Sequence, residues 1–117
     1  MRLNEVTYTN ALPVDGYGPG YFRIGGKAQD APLAILTGGV TPWGGLEDAE
    51  TLLKGAAQVD VLLIGTGPEV AHIPAGLRTA LEGAGLGVEI MASAQACRTY
   101  NVLLGEGRRV ALAVLPL

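Results

Sequence analysis

The sequence predicts an α/β fold of three layers, in which helices flank a central mixed, mainly parallel sheet and an extra N-terminal β hairpin precedes it. Three observations support this class. Turn-forming residues crowd the first third of the chain, short apolar runs that end in glycine recur after residue 32, and apolar residues at helical spacing fill the segments between these runs. Strands that alternate with helices are typical of sheets covered by helices, so we expect a hairpin followed by β-α-β-α-β-α-β.

The hairpin is predicted within residues 10–26. Asp15-Gly16 and Pro19-Gly20 are turn formers, and the segment YFRI at residues 21–24 is typical of a short strand. We therefore expect this region to cover an edge of the sheet or to extend it.

Apolar runs and helical spacing locate the later elements. The predicted strands are residues 32–39, 59–65, 87–92 and 109–117. The predicted helices are residues 46–57, 74–85 and 94–107. The inner faces expected for the first two helices are Leu46, Ala49, Leu53 and Ala56, then Ile73, Leu77, Leu81 and Ala84. Pro74 suits a first helical position, Gly85 a helix stop, and Ser93 is a candidate N-cap of the third helix.

Composition sets the class of protein. A length of 117 residues fits a single domain, residues 1–117, and 49% apolar with 16% charged residues excludes a disordered chain or a coiled coil. The net charge is −3 and the basic residues are scattered, which argues against nucleic-acid binding. One cysteine and one histidine exclude an internal disulfide and a His/Cys metal cluster within one chain.

The sequence also predicts a location. No apolar run approaches the roughly 18 residues that a membrane span needs, so membrane insertion is not expected. The segment MRLNEVTYTN has neither the apolar core of a signal peptide nor the composition of a presequence. We therefore expect a cytoplasmic protein.

Ligands of such sheets bind beyond the carboxyl ends of the strands, which makes that crevice the default site. We expect three loops to meet there, at residues 37–39, 65–67 and 92–93, with Trp43 following the first and Arg98 one helical turn beyond the third. The candidates for ligand or partner binding are Thr37, Gly38, Trp43, Gly65, Thr66, Gly67, Ser93, Arg98 and Asn101.

The segment IGTGPEV resembles a phosphate-binding loop but matches no nucleotide fingerprint. The dinucleotide motif needs a third glycine where Val70 stands, and the Lys-Ser/Thr pair of a Walker loop is absent. Two interpretations stay open. Thr66, Gly67 and backbone N–H groups hold a small anion, or the glycines only allow a tight exit from the strand.

Four further side chains each have a functional and a structural interpretation. Cys97 lies near a helix N-terminus beside Arg98, which could lower its pKa and make it a nucleophile; otherwise it is a buried structural cysteine. Asn101 on the core side of a helix holds a loop or contacts a ligand or partner, and Arg98 is solvated or contacts an anion or partner. Trp43 anchors a partner or plugs the core.

The usual enzyme signatures are not found in the sequence. His72 is an acid or base near neutral pH or simply a turn residue. No paired carboxylates, serine triad or metal-ligand spacing occurs, so we predict no catalytic residue, no metal and no cofactor, and lean against an enzyme.

Two segments, VLLIGTGPE and ACRTYNVLLGEGRRVALAVLP, resemble a known family. It is the family of Mth-type domains, which includes mitochondrial complex I assembly factor 3 and the adipogenesis-associated Mth domain protein. The resemblance implies a three-layered fold with a mixed sheet and an extra hairpin, with the last strand antiparallel to the others. It places the family motif at Gly65, Thr66, Gly67, Cys97, Tyr100, Asn101, Glu106, Gly107 and Arg108. No catalytic role is established for these positions in the family, and the resemblance suggests assembly activity.

Three functions follow as hypotheses. The first is a non-catalytic interaction or assembly module that docks on a protein through residues 37–43, residues 65–69 and the Arg98 region. The second is a protein that binds a small molecule or anion in the crevice, with catalysis left open. The third, weaker one is a redox sensor that uses Cys97.

Overall fold

A computed structural model of the chain describes residues 12–117, so residues 10 and 11 of the predicted hairpin and the predicted absence of a signal segment lie outside the described residues. The N-terminal unit is a three-stranded antiparallel sheet rather than a hairpin. Its strands are β1 (Val14–Gly18), β2 (Tyr21–Ile24) and β3 (Lys27–Asp30), in the order β1-β2-β3. The extra strand β3 follows because Gly25-Gly26, expected to end a strand, forms a second tight turn.

Asp15-Gly16 is not the turn that the sequence predicted. The pair lies inside β1, where the register against β2 shifts between Val14 and Gly16, as at a β-bulge. The Asp15 carboxylate instead accepts a hydrogen bond of 2.9 Å from the N–H of Gly26 and so supports the neighbouring turn.

The main sheet is mixed, as predicted. Its strands are β4 (Leu33–Leu36), β5 (Gly39–Pro42), β6 (Val61–Gly65), β7 (Gly87–Met91) and β8 (Val110–Val114), in the order β5-β4-β8-β6-β7. The strands β8, β6 and β7 are parallel, whereas β4 is antiparallel to both β8 and β5. The expectation that the last strand runs antiparallel to all others is therefore wrong, because β8 is antiparallel to β4 only.

Strand β5 was not predicted. Gly38-Gly39 makes a hairpin turn where the sequence suggested the end of an isolated strand, and β5 returns beside β4 with Leu36 opposite Gly39.

The first helix is shorter than residues 46–57. Helix α1 is Ala49–Leu53, followed by a 3₁₀ turn at Ala56–Gln58. Asp48 caps α1 by accepting a hydrogen bond of 3.1 Å from the N–H of Thr51, and Gly55 interrupts the helix. Leu52 is buried and Leu53 is exposed, which reverses part of the predicted inner face.

The other helices agree better with prediction. Helix α2 is Ala75–Gly83 and helix α3 is Ser93–Gly105. In α2 the predicted Leu77 and Leu81 are buried, but Ala84 is exposed, and Pro74 is the N-cap rather than the first helical residue. Gly85 has a φ of 93°, which glycine adopts readily, and it ends α2 as expected.

The sheet has a separate apolar core on each face, which confirms the three layers. On one face α3 and the N-terminal sheet bury Val14, Phe22, Ile24, Leu33, Ile35, Leu63, Ala96, Cys97, Tyr100, Val110, Leu112 and Val114. On the other face α1 and α2 cover Ala34, Trp43, Leu52, Ala56, Val59, Leu62, Ile64, Leu77, Leu81, Leu86, Ala111 and Ala113. Within residues 12–117, no helix has the length and apolar character needed to cross a membrane.

Candidate functional site

The strand directions divide the predicted crevice between two ends of the sheet. The parallel strands β6, β7 and β8 end together, near residues 65, 91 and 114. Strand β4 runs the other way, so Thr37 and Gly38 lie at the opposite end, where they line a groove of about 310 Å³ with Thr51 and Lys54. The expectation that residues 37–39 meet the glycine loop is therefore wrong.

Trp43 does lie at the carboxyl end, because β5 runs parallel to β8 and ends at Pro42. Its side chain is only 3% exposed and belongs to the core on the α1 and α2 side. The indole N–H donates a hydrogen bond of 2.9 Å to the backbone oxygen of Asp48. This geometry supports the structural interpretation, in which Trp43 plugs the core.

The end of β6 is closed by the start of α3. A Cβ atom on Gly65 would lie 2.6 Å from Cα of Ser93 and 3.0 Å from Cγ1 of Val114, so only glycine fits between the strand and the helix. Gly67 has a φ of 105°, a region that L side chains rarely adopt. Close packing and backbone conformation thus account for both glycines without a ligand.

Ser93 joins three segments rather than capping α3. It is the first helical residue, after the N-cap Ala92, and its side chain is fully buried. Its hydroxyl accepts a hydrogen bond of 2.8 Å from the N–H of Gly67 and donates one of 2.8 Å to the oxygen of Leu115, while its own N–H donates to the oxygen of Gly67 at 2.8 Å. The N-cap prediction is wrong because the hydroxyl bonds to neighbouring loops instead of to its own helix.

The hydroxyl of Thr66 is also used inside the protein. It lies 2.8 Å from the oxygen of Glu69 and 3.3 Å from that of Met91, as a donor, and it accepts a hydrogen bond of 2.9 Å from the N–H of Ala71. The loop therefore folds around Thr66. Anion binding in the crevice stays a prediction, but Gly67 N–H and the Thr66 hydroxyl are both engaged elsewhere.

In the middle of α3, Asn101 attaches the helix to the N-terminal sheet. Its Oδ1 accepts a hydrogen bond of 2.8 Å from the N–H of Val14, and its Nδ2 donates one of 2.8 Å to the oxygen of Val14. The Tyr100 hydroxyl donates a hydrogen bond of 3.0 Å to the oxygen of Leu12, and burial raises the pKa of Tyr100. Tyr100 and Asn101, two residues of the family motif, thus have a structural role in this chain.

Of the two interpretations of Cys97, the nucleophile with a lowered pKa disagrees with the structure. The side chain is 1% exposed, and this burial raises the pKa of the thiol to about 12, while the charge of Arg98 acts in the opposite direction and is the smaller effect. A buried thiol that stays protonated is a poor nucleophile. The structural interpretation of Cys97 is the one that the geometry supports.

Arg98 points away from the core, toward β1. Its Nη1 donates a hydrogen bond of 3.4 Å to the hydroxyl of Tyr17, at the surface of the protein. Tyr17 and Val102, on β1 and α3, are large side chains exposed to solvent. Arg98 is thus a predicted site residue that lies on an accessible surface, and it has exposed apolar groups beside it.

Sequence analysis missed a groove of about 380 Å³ beside β7. It is lined by Val70, Ala71, His72, Ile73, Arg78 and Ile90. Val70 is 64% exposed. The available signal was Val70, an apolar residue in a loop rich in glycine and proline. Sequence analysis interpreted this position only as the place where the third glycine of the dinucleotide motif is missing. Among residues 12–117, no three His, Cys, Asp or Glu side chains are placed to hold a metal ion.

The chain matches the model of a family described as "Protein of unknown function (DUF498/DUF598)" over residues 14–115. It belongs to this family. It is 48% identical over 117 residues to an uncharacterized protein of Rhodobacter capsulatus, covering 100% of this chain and 94% of that protein. It is 29% identical over 107 residues to the NADH dehydrogenase [ubiquinone] 1 alpha subcomplex assembly factor 3 of Danio rerio, covering 86% of this chain but only 62% of that protein.

Solved structures share the fold. An outer membrane protein from Bartonella henselae has a TM-score of 0.82 and 33% sequence identity, covering 90% of this chain and 94% of that chain. A Mth938-like domain from Bordetella pertussis has a TM-score of 0.75 and 29% identity, covering 99% of this chain and 92% of that chain. The resemblance to Mth-type domains and the predicted fold class are therefore confirmed.

Proposed function

We propose that this chain is a non-catalytic, single-domain protein that binds other proteins and assists the assembly of a multi-subunit complex. The observation that carries this proposal is the relationship to assembly factors: the relative from Danio rerio is named as one, and 86% of this chain aligns with it. Because the chain spans 62% of that relative's length, the assembly role and its client are both part of the proposal.

The geometry of the crevice supports a protein-binding role over a ligand-binding one. The hydroxyls of Thr66 and Ser93 and the N–H of Gly67 all bond to neighbouring protein groups. A metabolite held by these groups would have to break these bonds, whereas a partner protein needs only exposed surface. Large exposed apolar side chains, at Tyr17, Val70 and Val102, provide such surface.

Two exposed regions are the proposed docking surfaces. One contains Arg98 with Tyr17 and Val102, and the other is the loop at residues 68–72, which continues the predicted segment 65–69. Thr37 and Gly38 line a separate groove at the opposite end of the sheet, so they do not belong to either surface.

The proposal places this protein in the cytoplasm, where the subunits of a complex are available before they assemble. Because the structural neighbour from Bartonella henselae is an outer membrane protein, location must be measured. Fractionation of host cells, with antibody detection in the soluble and membrane fractions, tests this part independently of the assembly role.

The decisive experiment combines deletion with capture. Deleting the gene for this chain in its host should leave partly assembled complexes that are visible on native gels. NADH dehydrogenase is examined first because the relative from Danio rerio is named as its assembly factor. The tagged chain should capture subunits of the affected complex, and Arg98→Ala should weaken the capture. Arg109→Ala is the matched control, since Arg109 is also exposed but pairs with Asp60 at 3.1 Å, near the start of β6.

Normal assembly of all complexes after deletion, with no subunit captured, would contradict the proposal. If the purified chain instead retained a small molecule, the ligand-binding alternative would replace it. Equal capture by Arg98→Ala and Arg109→Ala would leave the assembly role in place and remove the Arg98 surface from it.

A further inference from the structure

The outer edge of β7 carries backbone groups that no described strand uses. The N–H of Gly87 donates to the oxygen of Asp60 at 2.9 Å, and the oxygen of Met91 accepts from the N–H of Thr66 at 2.9 Å, so these alternate residues point toward β6. Successive residues of a strand direct their N–H and C=O to opposite sides. Val88 and Ile90 therefore point theirs away from β6, and β7 has no second neighbour among the strands of residues 12–117.

The other edge of the sheet is different. On β5, the N–H of Trp43 donates to the oxygen of Pro32 at 3.2 Å, which directs Thr41 toward β4 and Val40 and Pro42 outward. Pro42 has no N–H to offer, and proline at an edge is a common means of preventing strand pairing. Strand β7 contains no proline, so one edge of the sheet is blocked and the other is available.

The edge of β7 adjoins the groove beside Val70. Val88 packs on the α2 side, and Ile90 lines the groove on that same side with His72 and Arg78. If a strand paired with β7, its side chains on the α2 side would lie beside Val88 and Ile90 and would enter this groove. The arrangement offers both backbone groups and a side-chain pocket, as strand-addition sites do.

Charge favours another protein over a second copy at the edge of β7. Glu89 is the central residue of β7 and is exposed. The two-fold antiparallel pairing with the greatest overlap of two β7 strands is centred on Glu89. It would place two carboxylates directly opposite each other, which is destabilising, whereas a basic residue there is stabilising. The net charge of −3 also favours a basic partner over a second copy.

We propose that β7 accepts an extended strand of another protein, which carries a lysine or arginine opposite Glu89 and aliphatic residues opposite Val88 and Ile90. This inference rests on the proposed protein-binding function and specifies its partner. The contact adds a sixth strand to the main sheet, and the outward N–H and C=O groups of Val88 and Ile90 form its backbone hydrogen bonds.

The first test uses a capped peptide with the sequence threonine-valine-lysine-valine-threonine, titrated into the full ¹⁵N-labelled chain. We expect amide shifts confined to β7 and the loop at residues 68–72, with slower hydrogen exchange at Val88 and Ile90. A peptide with glutamate in place of lysine should bind about fivefold more weakly, since opposite and like charges across a strand pair differ by about 1 kcal/mol.

The second test uses variants of the edge. Ile90→Pro removes an outward N–H and should abolish peptide binding, while Val40→Pro removes an outward N–H on the β5 edge and should not change it. Glu89→Lys keeps the backbone intact and should reverse the preference between the two peptides, and Glu47→Lys, an exposed charge outside the sheet, should not. Amide spectra of each variant establish that it is folded.

Several outcomes would overturn the inference. It would be overturned by amide shifts located away from β7 or by equal affinity for the two peptides. It would also be overturned if Ile90→Pro bound the lysine peptide as wild type does. A concentration-dependent dimer that Ile90→Pro dissolves would assign the edge to a second copy. If Ile90→Pro and Glu89→Lys both still capture assembly subunits, strand binding at the β7 edge is refuted while the proposed function stands. If wild type captures no subunit, the proposed function itself is refuted.

Discussion

Two regions of this protein differ in whether their polar groups already have hydrogen-bond partners. At the carboxyl end of β6, Ser93 bonds to both Gly67 and Leu115, and Thr66 bonds to its own loop. At the edge of β7, the outward groups of Val88 and Ile90 meet no described strand. The glycine-rich segment that suggests a ligand site is closed, and the open groups lie on a strand whose sequence carries no motif.

The difference shows that a glycine signal has two causes that the sequence alone does not separate. Gly65 is needed because α3 approaches β6 too closely for a side chain. A nucleotide-binding glycine is needed because a phosphate approaches the backbone closely. In both cases a Cβ atom is excluded, and only the neighbouring atoms identify what excludes it.

The largest effect that we expect concerns Cys97, a buried residue of α3. Since burial raises the pKa of its thiol from 9.0 to about 12, the thiolate fraction at pH 8 should be about a thousandfold below that of an unfolded chain. A disulfide reagent should react with Cys97 at least this much more slowly in buffer than in guanidinium, because the burial of the side chain also restricts access of the reagent. Because the folded chain keeps the thiol proton to higher pH than the unfolded chain, the contribution of Cys97 to the free energy of unfolding is fully present below pH 9. It is lost as pH rises toward 12. Equal rates in buffer and guanidinium would show that the α3 core opens.

Gly65→Ala should cause the next largest effect, a loss of about 3 kcal/mol in the free energy of unfolding, because the new methyl group would meet the backbone of Ser93. Gly76→Ala is the matched control: nothing lies within 4 Å of its Cβ position on α2, and alanine there should stabilise by about 0.5–1 kcal/mol. Urea denaturation of both variants measures the difference. A Gly65→Ala variant as stable as wild type would mean that α3 can move away from β6.

Asn101→Leu should destabilise the fold by about 2 kcal/mol, because the N–H and oxygen of Val14 lose their partners where Asn101 joins α3 to β1. Gln95→Leu, at an exposed position of the same helix, serves as control and should change stability by less than about 0.5 kcal/mol. Thermal denaturation compares the two variants. An unchanged midpoint for Asn101→Leu would return Asn101 to the residues free for binding.

The smallest effect belongs to the open edge. Ile90→Pro should cost less than about 1.5 kcal/mol, mainly in side-chain packing, because the lost N–H has no partner in a described strand. Ile64→Pro, in the interior strand β6, should cost about 3 kcal/mol or more. Denaturation midpoints that fell equally in both variants would show that the edge of β7 is paired in the isolated protein.

The particular successes and failures of sequence analysis have a common origin. The buried strands around Leu63 and Leu112 and the helix containing Cys97 follow from local periodicity, so they were predicted. The separation of Thr37 from Gly67 was missed because it depends on the direction of β4, which no local pattern encodes. The strand β5 was missed because a glycine pair ends a strand and turns a hairpin with the same residues.

The sequence by itself determined the α/β class, the apolar runs that become β4, β6, β7 and β8, and membership of a family through the motif around Asn101. Only the tertiary structure decided which polar groups remain free. Hydrogen bonds such as that between Asn101 and Val14, 87 residues apart, depend on how distant segments pack. Local sequence specifies which groups a residue carries, but only the packed chain specifies which of them already have a partner.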